Sequence, residues 1–421
     1  MLELFGKVRP FMKSVIIFYE HKAREFESIL LLKEELEKKD IKVLIYSYVF
    51  EYYEALSYMK KHPADLIVIP WMYTLKTYSL IVPFAKLNRN CSFINLHHEQ
   101  ISSDAILSSI MPRHDLAKNN IYHFSWSNNF KRQLMSYGVH EENIKVDGMG
   151  RLDTIIRSKG TVNYRNDYAK EFNLDPSKKW ILYCETRDWV WVSGYYEGFL
   201  KRTYGEKTAG EYRYDQETSI KASINDFNNL PDEFFDTYEF IYRPHPGINF
   251  KPEMNSKIKI ISKYSIYDWF TCIDANVVSY STAAYESEAF GIPTFIDTVF
   301  AMNPKFALGG FDKYEHLNSM TEITDKLNNY NYDHKIYEEY IGVVDGKSSE
   351  RMANTIVSIM NDPNSIKPEI IDINLPLHYA KMVREAVMKL TYPNLTKLLK
   401  WPKIAYNLFN DVPYRDEVKY H

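Results

Sequence analysis

The sequence has few cysteines, no long apolar stretch and no large excess of either charge. Only three cysteines occur among 421 residues, and Cys91, Cys184 and Cys272 stand far apart in apolar segments. This spacing excludes a disulfide framework and a paired-cysteine zinc site, and indicates buried thiols in a reducing compartment. No apolar run approaches the ~20 residues that span a bilayer. The formal net charge of −3 provides no global field for nucleic acid, so local groups must bind any anionic ligand.

Signatures of several enzyme classes are also missing. The chain has no GxxxxGK[ST] phosphate loop, no GxSxG nucleophile elbow and no GxGxxG turn after its first apolar run. These absences remove support for an NTPase, a hydrolase or a dehydrogenase. The first residues lack the charged, apolar and small-residue pattern of a secretory signal, so we expect a cytoplasmic protein.

What the sequence does contain is an alternation of short apolar runs and segments with helical spacing. The first set of runs is MKSVIIFY, KVLIYSYVF, ADLIVIPW, CSFINLHHE and IYHFSWS. The rhythm restarts with WILYCET, EFIYRPHP, IKIIS, ANVVSYS and IPTFIDT. Strands that alternate with helices build parallel sheets covered on both faces. We therefore predict an α/β protein with two Rossmann-like, doubly wound parallel-sheet domains that face a central cleft.

The predicted domain limits follow from changes in composition. Residues 1–156 form the first Rossmann-like domain, and a polar segment with a Pro-Ser-Lys-Lys turn is the expected linker. Residues 157–370 form the second Rossmann-like domain, and residues 371–421 form C-terminal helices that pack back across both domains. Within this tail, residues 396–410 combine Trp401 with lysines, so contact with an anionic membrane surface is an alternative there.

The segment YRPHP, residues 242–246, follows a predicted strand directly. Its two prolines fix the backbone around His245 at the carboxyl end of the strand, where ligands of doubly wound sheets bind. A histidine held there can meet a phosphate through a charge-assisted hydrogen bond. In isolation the segment better fits a turn whose histidine caps a neighbouring carbonyl.

A second segment lies about 35 residues further on. The run ANVVSYS ends near Ser279, and Ser281 and Thr282 precede a helix that carries Glu286 about one turn from its start. Hydroxyls and free N–H groups at a helix start form an anion site, and a carboxylate one turn later can reach ribose hydroxyls. Each feature alone is typical of an ordinary cap and a first-turn acid; together with YRPHP they predict a nucleotide site.

YRPHP followed by SYSTAAYESEAFGIP resembles the HP and S motifs of bacterial sialyltransferases, Kdo transferases and CDP-glycerol glycerophosphotransferases, which are GT-B enzymes of surface polymers. VDGMGRLD is similar to the TGxPRxD element at the end of their N-terminal domain, with Met149-Gly150 in place of the usual residue and proline. YEHKAREFES and YIGVVDGKSSERMANTI are similar to stretches of surface-carbohydrate biosynthesis proteins. The resemblance covers most of residues 12–360.

The resemblance implies that the second domain binds a nucleotide-activated donor and the first binds the acceptor. Glu286 is then expected to contact the ribose or the base. For Arg243 a purely structural role is the alternative. The residues expected near the donor phosphate all lie at strand ends of the second domain: His245, Pro246, Arg243, Ser279, Ser281, Thr282, Thr186 and Arg187.

Candidates for catalysis lie in NLHHEQ, after a strand of the first domain. In the related transferases an acidic pair followed by glycine occupies a comparable position, and its acid serves as general base. This sequence retains only Glu99, because His98 replaces the first acid and Gln100 replaces the glycine. A carboxylate or an imidazole can accept the proton of an attacking hydroxyl. Glu99 is therefore the first candidate, with His98 and His97 as alternatives.

No metal site is predicted. Adjacent side chains of the HHE sequence diverge on an extended segment and lack i,i+4 spacing. The chain also has no Asp-x-Asp element, with which metal-dependent GT-A transferases hold a divalent ion. We expect His245 and a helix N-terminus to neutralise the leaving phosphate. The expectation is a metal-independent glycosyltransferase that needs no cofactor besides its donor substrate.

The expected reaction moves a sugar from a nucleotide donor to a glycan or lipid-linked glycan of a bacterial surface polysaccharide, such as capsule or lipopolysaccharide. CMP is the favoured nucleotide, and an acidic sugar such as Kdo or a nonulosonate is the candidate. A CDP-glycerol or CDP-ribitol polyol-phosphate transferase of the teichoic-acid type is the alternative, and a non-catalytic nucleotide-binding assembly protein is the third. Peripheral contact at the inner face of the plasma membrane is an option, and no nucleic-acid partner is expected.

Overall fold

The computed structural model describes residues 13–20, 22–187, 195–245, 252–332, 335–372 and 375–391. Within these ranges the chain forms two parallel sheets of six strands. The first sheet contains β1 (Ser14–Tyr19), β2 (Lys42–Ser47), β3 (Leu66–Ile69), β4 (Ser92–Asn95), β5 (Tyr122–Ser125) and β6 (Ile144–Val146). The second contains β7 (Lys179–Cys184), β8 (Tyr238–Arg243), β9 (Lys259–Ile260), β10 (Ala275–Val278), β11 (Thr294–Asp297) and β12 (Glu315–Leu317).

Helices connect most of these strands. Those along the first half are α1 (Lys22–Glu37), α2 (Tyr52–Met59), α3 (Leu75–Tyr78), α4 (Val82–Leu87), α5 (Asp115–Asn119) and α6 (Asn128–Ser136). In the sequence, α7 (Asp153–Ser158) and α8 (Arg165–Phe172) follow the last strand of the first sheet and precede the first strand of the second. The remainder are α9 (Tyr195–Tyr204), α10 (Glu206–Asn228), α11 (Phe234–Thr237), α12 (Ile266–Phe270), α13 (Ala283–Phe290), α14 (Ile323–Asn328), α15 (Tyr337–Ile341), α16 (Ser348–Asn361) and α17 (Leu375–Thr391). None of the described helices is long and apolar enough to cross a bilayer.

The strand orders define one crevice in each sheet. The first sheet runs β2-β1-β3-β4-β5-β6, and the second runs β9-β8-β7-β10-β11-β12. In the first sheet β2 and β3 lie on opposite sides of β1, and in the second sheet β8 and β10 lie on opposite sides of β7. The switch points are therefore between β1 and β3 and between β7 and β10. Ligands of doubly wound sheets bind at such switch points, outside the carboxyl ends of the strands. Both predicted Rossmann-like sheets are thus confirmed.

The strands form because their apolar runs are buried on both faces, as parallel strands covered by helices require. All residues of β1, β3, β4 and β10 are buried. The cysteines Cys91, Cys184 and Cys272 are buried, which confirms the predicted burial of these thiols. Helix α16 packs on α1, because Met352 and Ile356 join the same apolar cluster as Leu32.

The two halves touch along a shared apolar surface. Trp126, directly after β5, belongs to the same cluster as Ala283 and Ile341 from the second half. Gly342 approaches Trp126 so closely that a Cβ at this glycine would lie 2.1 Å from the Trp126 carbonyl oxygen. Its φ of +76° also favours glycine. Helices α16 and α17 both contact the first half. The domain boundaries at residues 156 and 370 stay a prediction.

Candidate functional site

The carboxyl ends of β8, β7 and β10 lie side by side at one edge of the second sheet. Arg243 of β8 pairs with Cys184 of β7, and Cys184 pairs with Val278 of β10. The three strands therefore end side by side, and the segments that follow them start at the same edge. His245 follows β8 and is partly buried, and Ser281 follows β10 and is 8% exposed. Because neighbouring strands are about 4.8 Å apart, the two segments flank the end of β7 at the switch point.

Helix α13 starts at this edge. The Ser281 hydroxyl accepts a hydrogen bond from the backbone N–H of Ala283 at 3.1 Å, and Thr282 provides no side-chain cap. Ser279 is buried at the end of β10. The N–H groups of Ala284 and Tyr285 donate to the carbonyl oxygens of Ser281 and Thr282 at 3.2 and 3.1 Å, so an anion here meets the positive end of the helix dipole rather than open N–H groups. The arrangement therefore suits a phosphate beside Thr282. Pro246 lies outside the described residues.

Arg243 is occupied within the protein. Its guanidinium donates to the carbonyl oxygens of Lys263 and Tyr264 at 3.1 and 2.6 Å. Burial lowers the pKa of the side chain. These contacts fix the segment after β9, which supports the structural alternative for Arg243.

Arg187 and Thr186 follow β7, between the two motifs. The Arg187 side chain is fully buried and donates to both carboxylate oxygens of Glu185, at 2.8 and 2.7 Å. It also donates to the Ser223 hydroxyl and the Tyr183 phenol, at 2.9 and 2.6 Å. The expected contact of Arg187 with a donor phosphate does not fit this geometry, because the side chain turns into the core. Thr186 remains a candidate, and its buried hydroxyl has no partner within the described chain.

Glu286 reaches across the cleft to the first half. Its carboxylate accepts a hydrogen bond from Nη2 of Arg151, which lies in the 3₁₀ turn Gly150–Leu152 after β6. The two side chains are 5% and 16% exposed. Burial alone would lower the pKa of Arg151, but the carboxylates of Glu286 and Glu99 raise it above its ordinary value. The residue expected at the donor ribose is thus engaged by Arg151 in this arrangement.

The catalytic candidate Glu99 lies at the carboxyl edge of the first sheet, after β4, and is partly buried. Its charge acts on Arg151 and on Tyr73. Burial first, and then the carboxylates of Glu99 and Glu20, raise the pKa of the Tyr73 phenol. Glu99 thus belongs to the first half, whereas Glu286 belongs to the second, and the role of Glu99 as general base stays a prediction.

His98 lines a cavity of about 50 Å³ together with Glu25, Trp126 and Arg151. Its Nδ1 lies 3.3 Å from the Pro70 carbonyl oxygen. Its Nε2 lies 3.7 Å from Glu20 Oε2, and His98 stays the alternative base as a prediction.

His97 is enclosed in the core and has a φ of +49°. Its Nε2 lies 2.8 Å from Nδ1 of His123, whose Nε2 lies 2.9 Å from the Lys118 carbonyl oxygen. Since a carbonyl only accepts, His123 donates from Nε2 and accepts the Nε2 proton of His97. Burial lowers the pKa of both rings, that of His123 to about 4. A direct catalytic role for His97 does not fit this burial; the ring instead anchors the segment that carries Glu99.

Glu20, Trp71 and Arg151 were missed as individual site residues. The Trp71 Nε1–H donates to Glu20 Oε2 at 2.8 Å, beside the β1/β3 switch point. Glu20 and Arg151 belong to YEHKAREFES and VDGMGRLD, the stretches in which the sequence resembles surface-carbohydrate proteins. No sequence motif points to Trp71. Ligand atoms of Glu20, Glu25 and His98 lie within 4.8 Å of one another, a spacing that suits metal ligands. Metal independence stays a prediction.

Comparison with known proteins identifies the fold. No protein-family model and no curated protein matches the sequence. The wall teichoic acid polymerase TagF is 15% identical with a TM-score of 0.53, over 82% of this chain and 88% of that chain. The UDP-GlcNAc 2-epimerase of Methanocaldococcus jannaschii is also 15% identical with a TM-score of 0.53, over 82% and 99% of the two chains.

A third structure is that of a Listeria monocytogenes protein provisionally assigned as a UDP-N-acetylglucosamine 2-epimerase. It is 11% identical with a TM-score of 0.55, over 85% of this chain and 99% of that chain. At such low identities the likeness establishes the fold alone. The chain has the GT-B fold of two facing Rossmann-like domains, which confirms the predicted fold class.

Proposed function

We propose that this protein is a GT-B transferase that takes a group from a cytidine-nucleotide donor and adds it to a bacterial surface polysaccharide. One observation carries the proposal. The ends of β8, β7 and β10 are in register, so His245 and the start of α13 flank the switch point of the second sheet. A histidine and a helix N-terminus on two sides of one crevice suit a nucleotide phosphate.

In this mechanism the donor phosphate lies between His245 and Thr282. The imidazole and the positive end of the α13 dipole stabilise the charge that develops on the leaving phosphate. From the opposite side of the cleft, Glu99 accepts the proton of the acceptor hydroxyl as it attacks. Glu286 exchanges its contact with Arg151 for the ribose hydroxyls when the donor binds.

Two donors are candidates, and both release CMP. In a CMP-activated acidic sugar, the bond between the anomeric carbon and the phosphate oxygen breaks. In CDP-glycerol or CDP-ribitol, a P–O bond of the diphosphate bridge breaks and the polyol phosphate is transferred. The sugar transfer is the first candidate. The likeness to a wall teichoic acid polymerase favours the polyol-phosphate transfer as the second.

The test is to incubate the purified chain with CMP-sialic acid, CMP-Kdo, CDP-glycerol or UDP-GlcNAc, each with glycan acceptors, and to separate the nucleotides by chromatography. We expect CMP from one class of cytidine donor, and mass spectrometry of the acceptor then shows whether a sugar or a polyol phosphate was added. Binding of CMP without release from any donor would assign the chain to a non-catalytic assembly role. Conversion of UDP-GlcNAc to its C2 epimer would contradict the proposal.

A further inference from the structure

Helix α17 packs on the first half through its polar side. The Tyr53 phenol donates to the His378 carbonyl oxygen at 2.5 Å, and Lys381 Nζ donates to the Tyr48 carbonyl oxygen at 2.9 Å. Lys381 also lies over the Tyr48 ring, 4.6 Å from its centroid. His378 and Glu385 are buried on the same side, at 8% and 3% exposure. Leu377 packs on the apolar core of the first half, but the other inward side chains of this helix are histidine, lysine and glutamate.

The outward face of α17 is apolar. Tyr379, Met382 and Val383 are 66%, 44% and 44% exposed, and Ala380 and Ala386 are also exposed. Residues three and four apart share one side of a helix, so these side chains form a continuous stripe. A helix on the surface of a water-soluble domain normally shows the opposite arrangement, with its apolar stripe toward the core. An apolar stripe of this kind marks a docking surface.

We propose that this stripe docks on an anionic lipid bilayer, with Tyr379, Met382 and Val383 in the interfacial layer. The sequence that follows the stripe matches such a surface. Between Ala386 and Asn410 it has no acidic residue and four lysines, Lys389, Lys397, Lys400 and Lys403, together with Trp401. Apolar helix faces with basic flanks lie in the plane of a membrane interface, and lysines add attraction to anionic headgroups.

Charge favours lipid over the other possible occupants. Arg384 is exposed next to the stripe, and residues 386–410 carry only positive charges. A second copy docked on the same stripe would bring two sets of positive charges together, and the chain's own lysine-bearing tail would lie against Arg384. Anionic headgroups pair with both groups of charges instead. This docking does not depend on which group the protein transfers.

The test is flotation of the full-length protein with vesicles of phosphatidylcholine and phosphatidylglycerol, compared with pure phosphatidylcholine. We expect flotation with the anionic vesicles alone, and less at high salt because exposed charges are screened. Tyr379→Glu and Val383→Glu each place a charge in the stripe, and should lower the bound fraction by roughly tenfold. The matched control is Tyr214→Glu on α10, where the tyrosine is 71% exposed; its bound fraction should equal that of the wild type.

Melting curves by circular dichroism accompany the flotation, since substitutions at exposed positions should leave the melting temperature unchanged. Wild-type protein that stays unbound with anionic vesicles, as expected if the tail covers the stripe, overturns the proposal. Equal flotation of Val383→Glu and the wild type overturns it as well. Sedimentation that shows a dimer, converted to monomer by Val383→Glu, would assign the stripe to a second copy and also overturn it.

Discussion

Arg151 and Glu286 form a largely buried ion pair that joins the two halves of the chain. Arg151 follows the last strand of the first sheet, and Glu286 lies in the helix that follows β10. The same guanidinium is influenced by Glu99. One arginine therefore pairs with the candidate ribose contact and also feels the charge of the candidate general base.

The ion pair itself gives the first prediction. Arg151→Met leaves the buried Glu286 carboxylate without its cationic partner, with only the Tyr267 hydrogen bond remaining, so the free energy of unfolding should fall by about 3 kcal/mol or more. The double variant Arg151→Met with Glu286→Gln removes both charges and should recover part of this loss. The measurement is urea unfolding of the wild type, the single variants Arg151→Met and Glu286→Gln, and the double variant, which together form a double-mutant cycle. Strictly additive effects of the two substitutions would show that the pair contributes no coupling.

Close packing of the two halves at Gly342 gives the second prediction. Gly342→Ala forces a Cβ toward the Trp126 carbonyl at a site with positive φ, so it should cost at least ~2 kcal/mol of stability. Gly160→Ala is the matched control, since Gly160 has a φ of +79° and open space around it. The control should show only the backbone cost of about 1 kcal/mol. Equal losses in thermal unfolding would mean that the contact with Trp126 is unimportant.

Acid sensitivity gives the third prediction. The folded pKa of His123 is about 4, below its ordinary value of 6.5. The unfolded chain therefore binds the proton first as pH falls, and the stability that is present above pH 6.5 is lost between pH 6.5 and 4. The full loss is roughly 3 kcal/mol, and His97 adds to it in the same direction. In His123→Gln, urea unfolding at several pH values should show a smaller loss across this interval; an unchanged pH dependence would contradict the assignment.

The proposed general base gives the fourth prediction. Glu99→Gln keeps the shape of the side chain but removes its basicity, so the turnover number should fall by ~10²–10⁴-fold. Donor binding, measured by calorimetry, should be unchanged. His98→Gln is the comparison, because His98 lines the adjacent cavity. A large loss in His98→Gln with normal turnover in Glu99→Gln would move the base to His98.

The sequence predicted the sheets and the edge that holds the donor motifs, because buried apolar runs and strand order depend on local periodicity. It could not predict where the side chains at that edge turn. Arg187 points inward because its guanidinium donates to Ser223 and Tyr183 in addition to Glu185. The Glu286 carboxylate pairs with a residue 135 positions away. Such partners depend on the tertiary structure, and no local sequence pattern predicts them.

The same limit applies to α17. Its helical spacing was readable, and the expectation was that it packs back on the protein. Which side faces inward depended on hydrogen bonds from Tyr53 and to Tyr48, residues that lie far away in the chain. The side with His378 and Lys381 faces inward because these contacts satisfy the His378 carbonyl oxygen and the Lys381 ammonium group, and Leu377 on the same side packs on the core.

The most direct test of the central claim is isothermal titration of CMP into the wild type, His245→Ala and His140→Ala. His140 is the matched control because its side chain is 62% exposed, away from the strand ends of the second sheet. A hydrogen bond to a charged phosphate contributes about 1.5–3 kcal/mol, so His245→Ala should weaken CMP binding by roughly 10-fold or more, while His140→Ala binds like the wild type. Equal CMP affinity in His245→Ala and the wild type would contradict the account.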